Sequence, residues 1–228
     1  MNTRGKPRPK TYRENLDSTH VLSRKTYIIP YQLIPDLRRE EAALSIFFAA
    51  LTAAGSPLAI PISPVPFTLQ TFFVLLAGMV GGVRVGFTAI LIYLFMGAVG
   101  VPVFANFKGG WQVFLGPTGG YLISFPFASA LAGYVYNRIG MGRVLGAAAG
   151  AAAAEALIYL IGVPWLASWL VFNRGLSVPD SLSQAVVVGM TPFLVWDTVK
   201  ATIAVYVSTR HQIVNAVIKY VKAVRSSP

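Results

Sequence analysis

Cysteine is absent from the 228-residue chain, and only two histidines, His20 and His211, are present. A disulfide framework and a cysteine-based metal site are therefore excluded, and both histidines fall outside the apolar runs described below. Charge is scarce as well, at 12% of residues against 55% hydrophobic, where soluble domains average about 25% charged. So little charge cannot coat a globule of this size with polar surface, which argues against a water-soluble enzyme. Acidic residues are fewest, 8 against 19 Lys and Arg, for a formal net charge of +11. No G-x-x-x-x-G-K-[ST], H-E-x-x-H or G-x-S-x-G sequence occurs, so ATP binding by a P-loop, zinc proteolysis and a serine nucleophile elbow have no carrier. No catalytic residue, metal site or cofactor is expected.

What is present is a series of apolar runs, at roughly 42–62, 67–83, 85–104, 119–137, 144–171 and 185–208. A helix crossing the hydrocarbon layer needs about 20 mostly apolar residues. The runs are continuously apolar and do not alternate, which excludes a barrel. The chain is thus expected to be an all-α membrane protein with six transmembrane helices. Residues 1–40 hold nine of the basic residues and form an N-terminal extension, disordered or lying on the membrane surface. Residues 41–209 form the membrane domain, and 210–228 a basic tail.

Lys and Arg favour the cytoplasmic side of a membrane. With both termini cytoplasmic, sixteen basic residues face inward and only Lys108 and Arg174 outward, while Lys200 lies within the last run. An odd number of spans would put one basic terminus on the wrong side. The positive charge is accounted for by this bias, with some attraction to anionic lipid, and nucleic acid is not an expected partner. The localisation that follows is multi-pass in the cell membrane.

Small residues recur every fourth position at Gly142, Gly146, Gly150 and Ala154, a face that lets a neighbouring helix approach closely. The first run repeats the pattern with Ala49/Ala53 and Ala50/Ala54, which suit either packing within the chain or docking of another membrane subunit. The loops assigned to the outer side are unusual. One carries Pro57, Pro61, Pro64 and Pro66 and is stiff. A second carries Asn106, Gly109, Gly110 and the run Gly116-Pro-Thr-Gly-Gly-Tyr121, and a third carries Trp165 and Trp169. Together they suggest a lidded pocket. Gln70, at the outer start of the second run, offers it a donor and an acceptor. Charges inside spans usually face a bundle interior or cavity. Asp197 and Lys200 share one helix face three residues apart, suited to an internal ion pair, to a polar ligand, or to both in turn. Glu155 has no partner in the sequence.

Six motifs in order resemble the BioY family, the biotin-binding S components of energy-coupling-factor (ECF) transporters. They are Pro64-Val-Pro-Phe-Thr-Leu-Gln70-Thr, Leu76-Ala-Gly78, Gly100-Val-Pro-Val-Phe-Ala105, Gly116-Pro-Thr-Gly-Gly-Tyr121-Leu, Gly162-Val-Pro-Trp-Leu-Ala167 and Pro192-Phe-x-x-x-Asp197-x-x-Lys200. The resemblance runs from about Ala42 to Val207. It implies the six-helix S-component fold and high-affinity capture of biotin from outside. It also implies a transmembrane T subunit and a pair of cytoplasmic ATPases as partners, with the T subunit docking on Ala49/Ala53 or Ala50/Ala54. Ligand contacts are implied for Gln70, Thr118, Tyr121, Asp197 and Lys200. Trp165 joins Tyr121 as an aromatic wall, with Asp197 as acceptor and Lys200 as cation. Two stretches depart from the family pattern, Asn106-Phe107-Lys108 and Val195-Trp196. Both add bulk at the pocket, so Asn106 joins the candidate contacts and Lys108 becomes an alternative partner for the ligand carboxylate. Rival readings are an S component for another small vitamin and a solitary ion-coupled carrier using Glu155. An intramembrane enzyme would have only Glu155 and Asp197 as a carboxylate pair.

Overall fold

The computed structural model describes residues 37–60, 64–140 and 144–210, those at 37–40 by backbone only. Most of the basic extension 1–40 and the tail beyond residue 210 lie outside the described residues. Among the described residues six α-helices follow one another: α1 (Leu37–Gly55), α2 (Gln70–Ala98), α3 (Gly119–Ile139), α4 (Val144–Arg174), α5 (Val178–Gly189) and α6 (Phe193–Thr209). Two short 3-10 turns, Ala105–Phe107 and Trp111–Leu115, lie between α2 and α3. Among the described residues there is no strand, only the isolated antiparallel bridges Ile60–Phe67 and Phe104–Lys108.

The 29 residues of α2 are long and apolar enough to cross a bilayer as one rod, yet they do not. Gly82, with φ 81° and ψ −179°, breaks the helix. Residues 70–81 and 83–98 fold back on each other so closely that a Cβ on Gly86 would stand 2.8 Å from the Gly78 Cα. Only glycine adopts that φ without strain and permits that approach. The hairpin supplies two of the six spans, and their junction falls near the expected one at residue 84. α3 lies across the hairpin, where Gly133 meets the backbone of Gly78, Gly82 and Val83. There the Ser129 hydroxyl donates to the Val74 carbonyl at 2.8 Å.

α4 carries the small-residue face, with Gly146, Gly150 and Ala154 all buried. A Cβ on Gly150 would stand 2.7 Å from the Ala132 carbonyl oxygen of α3; Gly142 lies outside the described residues. α6 buries Phe193, Asp197, Lys200, Ala204 and Ser208, one stripe at helical spacing. Its other face exposes Val195, Trp196, Val199 and Ile203. Such a surface needs lipid or a partner to cover it. Thr198 and Thr202 on that side donate to the carbonyls of Leu194 and Thr198, at 2.6 and 2.7 Å, so these two hydroxyls are not left bare toward hydrocarbon.

Several boundaries differ from the expected runs. The first helix starts five residues early, at Leu37, and stops at Gly55 rather than near 62, because Pro57 follows and the chain turns extended into the Ile60–Phe67 bridge. The last run is split: α5 and α6 meet at 45° across residues 190–192, where Pro192, lacking an N–H, cannot continue α5. Arms of 12 and 16 residues in α2 rise only about 18 and 24 Å. The irregular segments 64–69 and 99–118 complete the depth, and irregular backbone at membrane depth is tolerated where it lines a cavity.

The bundle has two distinct ends. Glu41 and Ser45 of α1 lie beside Arg84 just past the Gly82 turn. At the same end Tyr136 donates to the Ser208 carbonyl and Ser208 contacts the Met79 sulfur. The start of α1 and the close of α6 therefore lie together, opposite the loops. Valine at Gly78 is predicted to collide with the Ser129 carbonyl and cost about 1–3 kcal/mol. Thermal unfolding in detergent should show a lowered midpoint for Gly78→Val, and no change for Leu160→Val on the exposed face of α4.

Candidate functional site

At the loop end the segments converge on a cavity of about 530 Å³, within the range of small-molecule sites. Its walls come from Pro64–Thr71 and 104–118, from the starts of α3 and α6, and from Ile158 and Tyr159 of α4. Gln70, Asn106, Thr118, Tyr121, Asp197 and Lys200 all line it, although 130 residues separate the first from the last.

The polar floor is a closed network. Lys200 and Asp197 form an ion pair of 2.5 Å, with both side chains nearly buried. The Lys200 ammonium also donates to the Thr71 hydroxyl at 2.6 Å and to the Thr68 carbonyl at 3.1 Å. Thr71 in turn donates to Asp197 Oδ1 at 3.3 Å, and Tyr159 of α4 donates to Asp197 Oδ2. A buried ion pair repays its desolvation only when its remaining donors and acceptors are satisfied, and these residues satisfy them. The same contacts tie α6 to the first arm of α2 and to α4. Glu155, one turn along α4 from Tyr159, is the exception. Its Oε1 is buried without a hydrogen bond, and it lies within electrostatic reach of both Asp197 and Lys200.

Above the floor, Tyr93 is the hub of the loops. Its fully buried hydroxyl accepts from the Gln70 amide, lies 2.8 Å from the Ser56 hydroxyl and donates to the Val103 carbonyl at 3.3 Å. The Gln70 amide oxygen accepts from Thr68 at 3.0 Å. Tyr121 donates to the Gly189 carbonyl at 2.9 Å, tying α3 to the end of α5. Phe104, Phe125, Ile158 and Phe193 give the cavity apolar walls. Phe67 stacks on Phe193 at 4.3 Å, with Trp196 beyond at 6.3 Å, so the added bulk of Trp196 packs on the proline-rich loop.

Two expectations change. Trp165 does not line the cavity. It sits behind the wall, packed against Gly119 and Gly120, and donates to the Gly116 carbonyl at 3.0 Å; it braces the glycine loop. The two alanine pairs also separate. Ala49 is buried, 1% exposed, and Ala53 partly so, whereas Ala50 and Ala54 face outward. Ala49 packs within this chain and is withdrawn from any docking face. Sequence reasoning missed Thr71, Tyr93 and Tyr159 altogether. Thr71 directly follows Gln70 in a quoted motif, which is a local signal; the two tyrosines sit in apolar runs and carry none. Among the described residues no three His, Cys, Asp or Glu side chains gather as a metal site would require.

A helical membrane bundle with a mainly apolar cavity, a few convergent polar groups on its floor, under loops at one end defines a small-molecule-binding membrane protein. The BioY family model matches residues 30–217, and the chain belongs to the BioY family. It is similar to the probable biotin transporter BioY of Pyrococcus horikoshii, 44% identical over 77% of this chain and 98% of that protein. To the biotin transporter BioY of Thermotoga maritima it is 39% identical, over 72% of this chain and 90% of that one. Among solved structures it resembles the S component for biotin from an ECF-type ABC transporter, at 26% identity and TM-score 0.59, over 79% of this chain and 94% of that chain. The fold is that of an S component, and the family is one of transporters, not enzymes.

Thr71 serves both charged partners, so Thr71→Val is predicted to cost about 1–3 kcal/mol by leaving a buried charged group short of a partner. Thr198→Val, on the exposed face, should cost much less. Thermal unfolding of the two ligand-free variants makes the comparison.

Proposed function

We propose that this chain is the biotin-capturing S component of an ECF-type importer, multi-pass in the cell membrane. It takes biotin from the outer side and delivers it inward with a transmembrane T subunit and a pair of cytoplasmic ATPases. The observation that carries this reading is the cavity's composition: one nearly buried carboxylate and a ring of hydroxyls and amides set among aromatic and aliphatic walls. Biotin's ureido ring has two N–H donors and a carbonyl, and its thiophane ring is apolar. Asp197, with one acceptor position left beside those taken by Lys200, Thr71 and Tyr159, accepts from a ureido N–H, Gln70 and Thr71 lie beside it, and Tyr121, Phe104 and Phe193 enclose the rings. The names of the relatives support the same ligand.

Sidedness follows from charge. Arg84 and Arg138 belong to the end where α1 starts and α6 closes, and positive residues favour the cytoplasm. The cavity then opens outward. With no P-loop in the chain, ATP-driven import needs partner subunits. Ala50 and Ala54 form an outward strip of small residues on α1, over which a T-subunit helix can approach closely.

Titration calorimetry of purified protein is predicted to show biotin binding at or below micromolar concentration. Asp197→Asn should weaken it by about 1–3 kcal/mol, the cost of disturbing a buried charged hydrogen bond. Absence of heat with the unaltered protein would refute the biotin reading, and tighter binding of lipoate would favour another vitamin. Glu155 is partly buried near the floor, with its Oε1 buried and making no hydrogen bond, which gives the ion-coupled carrier its one foothold. Glu155→Gln is predicted to leave biotin uptake nearly intact; abolished uptake with intact binding would favour that carrier.

A further inference from the structure

We infer that Lys108, and not Lys200, recognises the carboxylate tail of the ligand, making it the residue that selects an acid over its neutral analogues; this rests on the biotin reading above. Two cations line the cavity, Lys108 and Lys200. An ammonium has three donors, and all three of Lys200 are committed: to Asp197, to Thr71 and to the Thr68 carbonyl. To bind a carboxylate, Lys200 would have to give up a contact that holds the floor together. Lys108 makes no ion pair with any described residue and stands exposed at the cavity wall. The charge balance agrees. Asp197 and Lys200 cancel each other, so the lining carries one uncompensated positive charge, at Lys108, and a ligand with a single carboxylate neutralises it.

The backbone holds Lys108 at a fixed place. Asn106 and Phe107 both take left-handed conformations, with φ of 56° and 57°, which a bulky residue such as phenylalanine rarely adopts. The turn is closed by the Phe104 N–H donating to the Lys108 carbonyl at 2.9 Å, and anchored by the Gly110 N–H donating to the Gly97 carbonyl at 2.7 Å. Gly109 lies so near the Gly100 and Val101 carbonyls that a Cβ there would stand 2.6–2.7 Å from their oxygens. Lysine's stem therefore starts from a rigid rim. Strain held this way is often found at ligand clamps. The ligand class that fits is a small monoanion with a neutral, hydrogen-bonding head and its acid at the end of an apolar tail.

The test measures affinity of the purified full chain for biotin and for biotin methyl ester, which keeps the head and removes the charge. The unaltered protein should prefer biotin by about tenfold or more, the worth of one well-placed charge contact. Lys108→Gln should abolish that preference while leaving the ester's affinity unchanged, and Lys108→Arg should restore it. A preference that survives in Lys108→Gln, or an equal loss for both compounds, overturns the assignment and leaves the biotin reading standing. If the unaltered protein binds neither compound, the biotin reading itself fails and takes this assignment with it.

Discussion

A carboxylate and an ammonium inside an apolar bundle must be given every partner they can use, because neither lipid nor packed hydrocarbon offers any. That demand organises the site. Satisfying Lys200 draws in a carbonyl from just before α2 and a hydroxyl from its first turn, and satisfying Asp197 draws in a hydroxyl from α4. Three elements distant in sequence are thereby clipped at one level of the bundle, and the clip is the floor of the cavity. The loops then need only to be hung above it, which Tyr93, Tyr121 and Trp165 do through hydrogen bonds to Gln70, Ser56 and the Val103, Gly189 and Gly116 carbonyls.

Close backbone approach is the second constraint. Without a hydrophobic drive between helices in lipid, association depends on contact and on hydrogen bonding. Gly78, Gly86 and Gly133 bring the α2 hairpin and α3 into backbone contact, and Gly150 does the same between α3 and α4. Rigid packing at that end and irregular, hydrogen-bonded backbone at the other divide the molecule into a scaffold and a binding end.

Much of this was legible in the residues. The continuous apolar runs gave the class, the clustering of Lys and Arg gave an even number of spans, and six motifs in order gave the family. The spacing of Asp197 and Lys200 put them on one face, where they do pair. What stayed hidden had physical reasons. The reversal itself was read from the break between runs at Arg84, but hydropathy is blind to the φ of 81° at Gly82 that folds the two arms tightly together. The break at 190–192 is only Met190, Thr191 and Pro192 and carries no charge, so composition carried across it. Ala49 and Ala50 begin identical small-residue repeats, and only the packing of α1 decides which faces outward. Tyr159 lies 38 residues from the carboxylate it serves, and nothing local marks it. Trp165 was placed in an outer loop and read as a wall from the family resemblance, whereas it lies on α4 with its indole N–H already committed to a backbone carbonyl.

The central claim is that the loop-end cavity opens outward and closes over biotin. Because the chain has no cysteine, a single Gln112→Cys substitution at the cavity rim can be probed in intact cells with a membrane-impermeant maleimide. The account predicts labelling from outside that biotin slows, while Arg84→Cys reacts only once the membrane is opened. Labelling of Gln112→Cys only from the cytoplasmic side, or labelling from outside at a rate biotin does not alter, would contradict it.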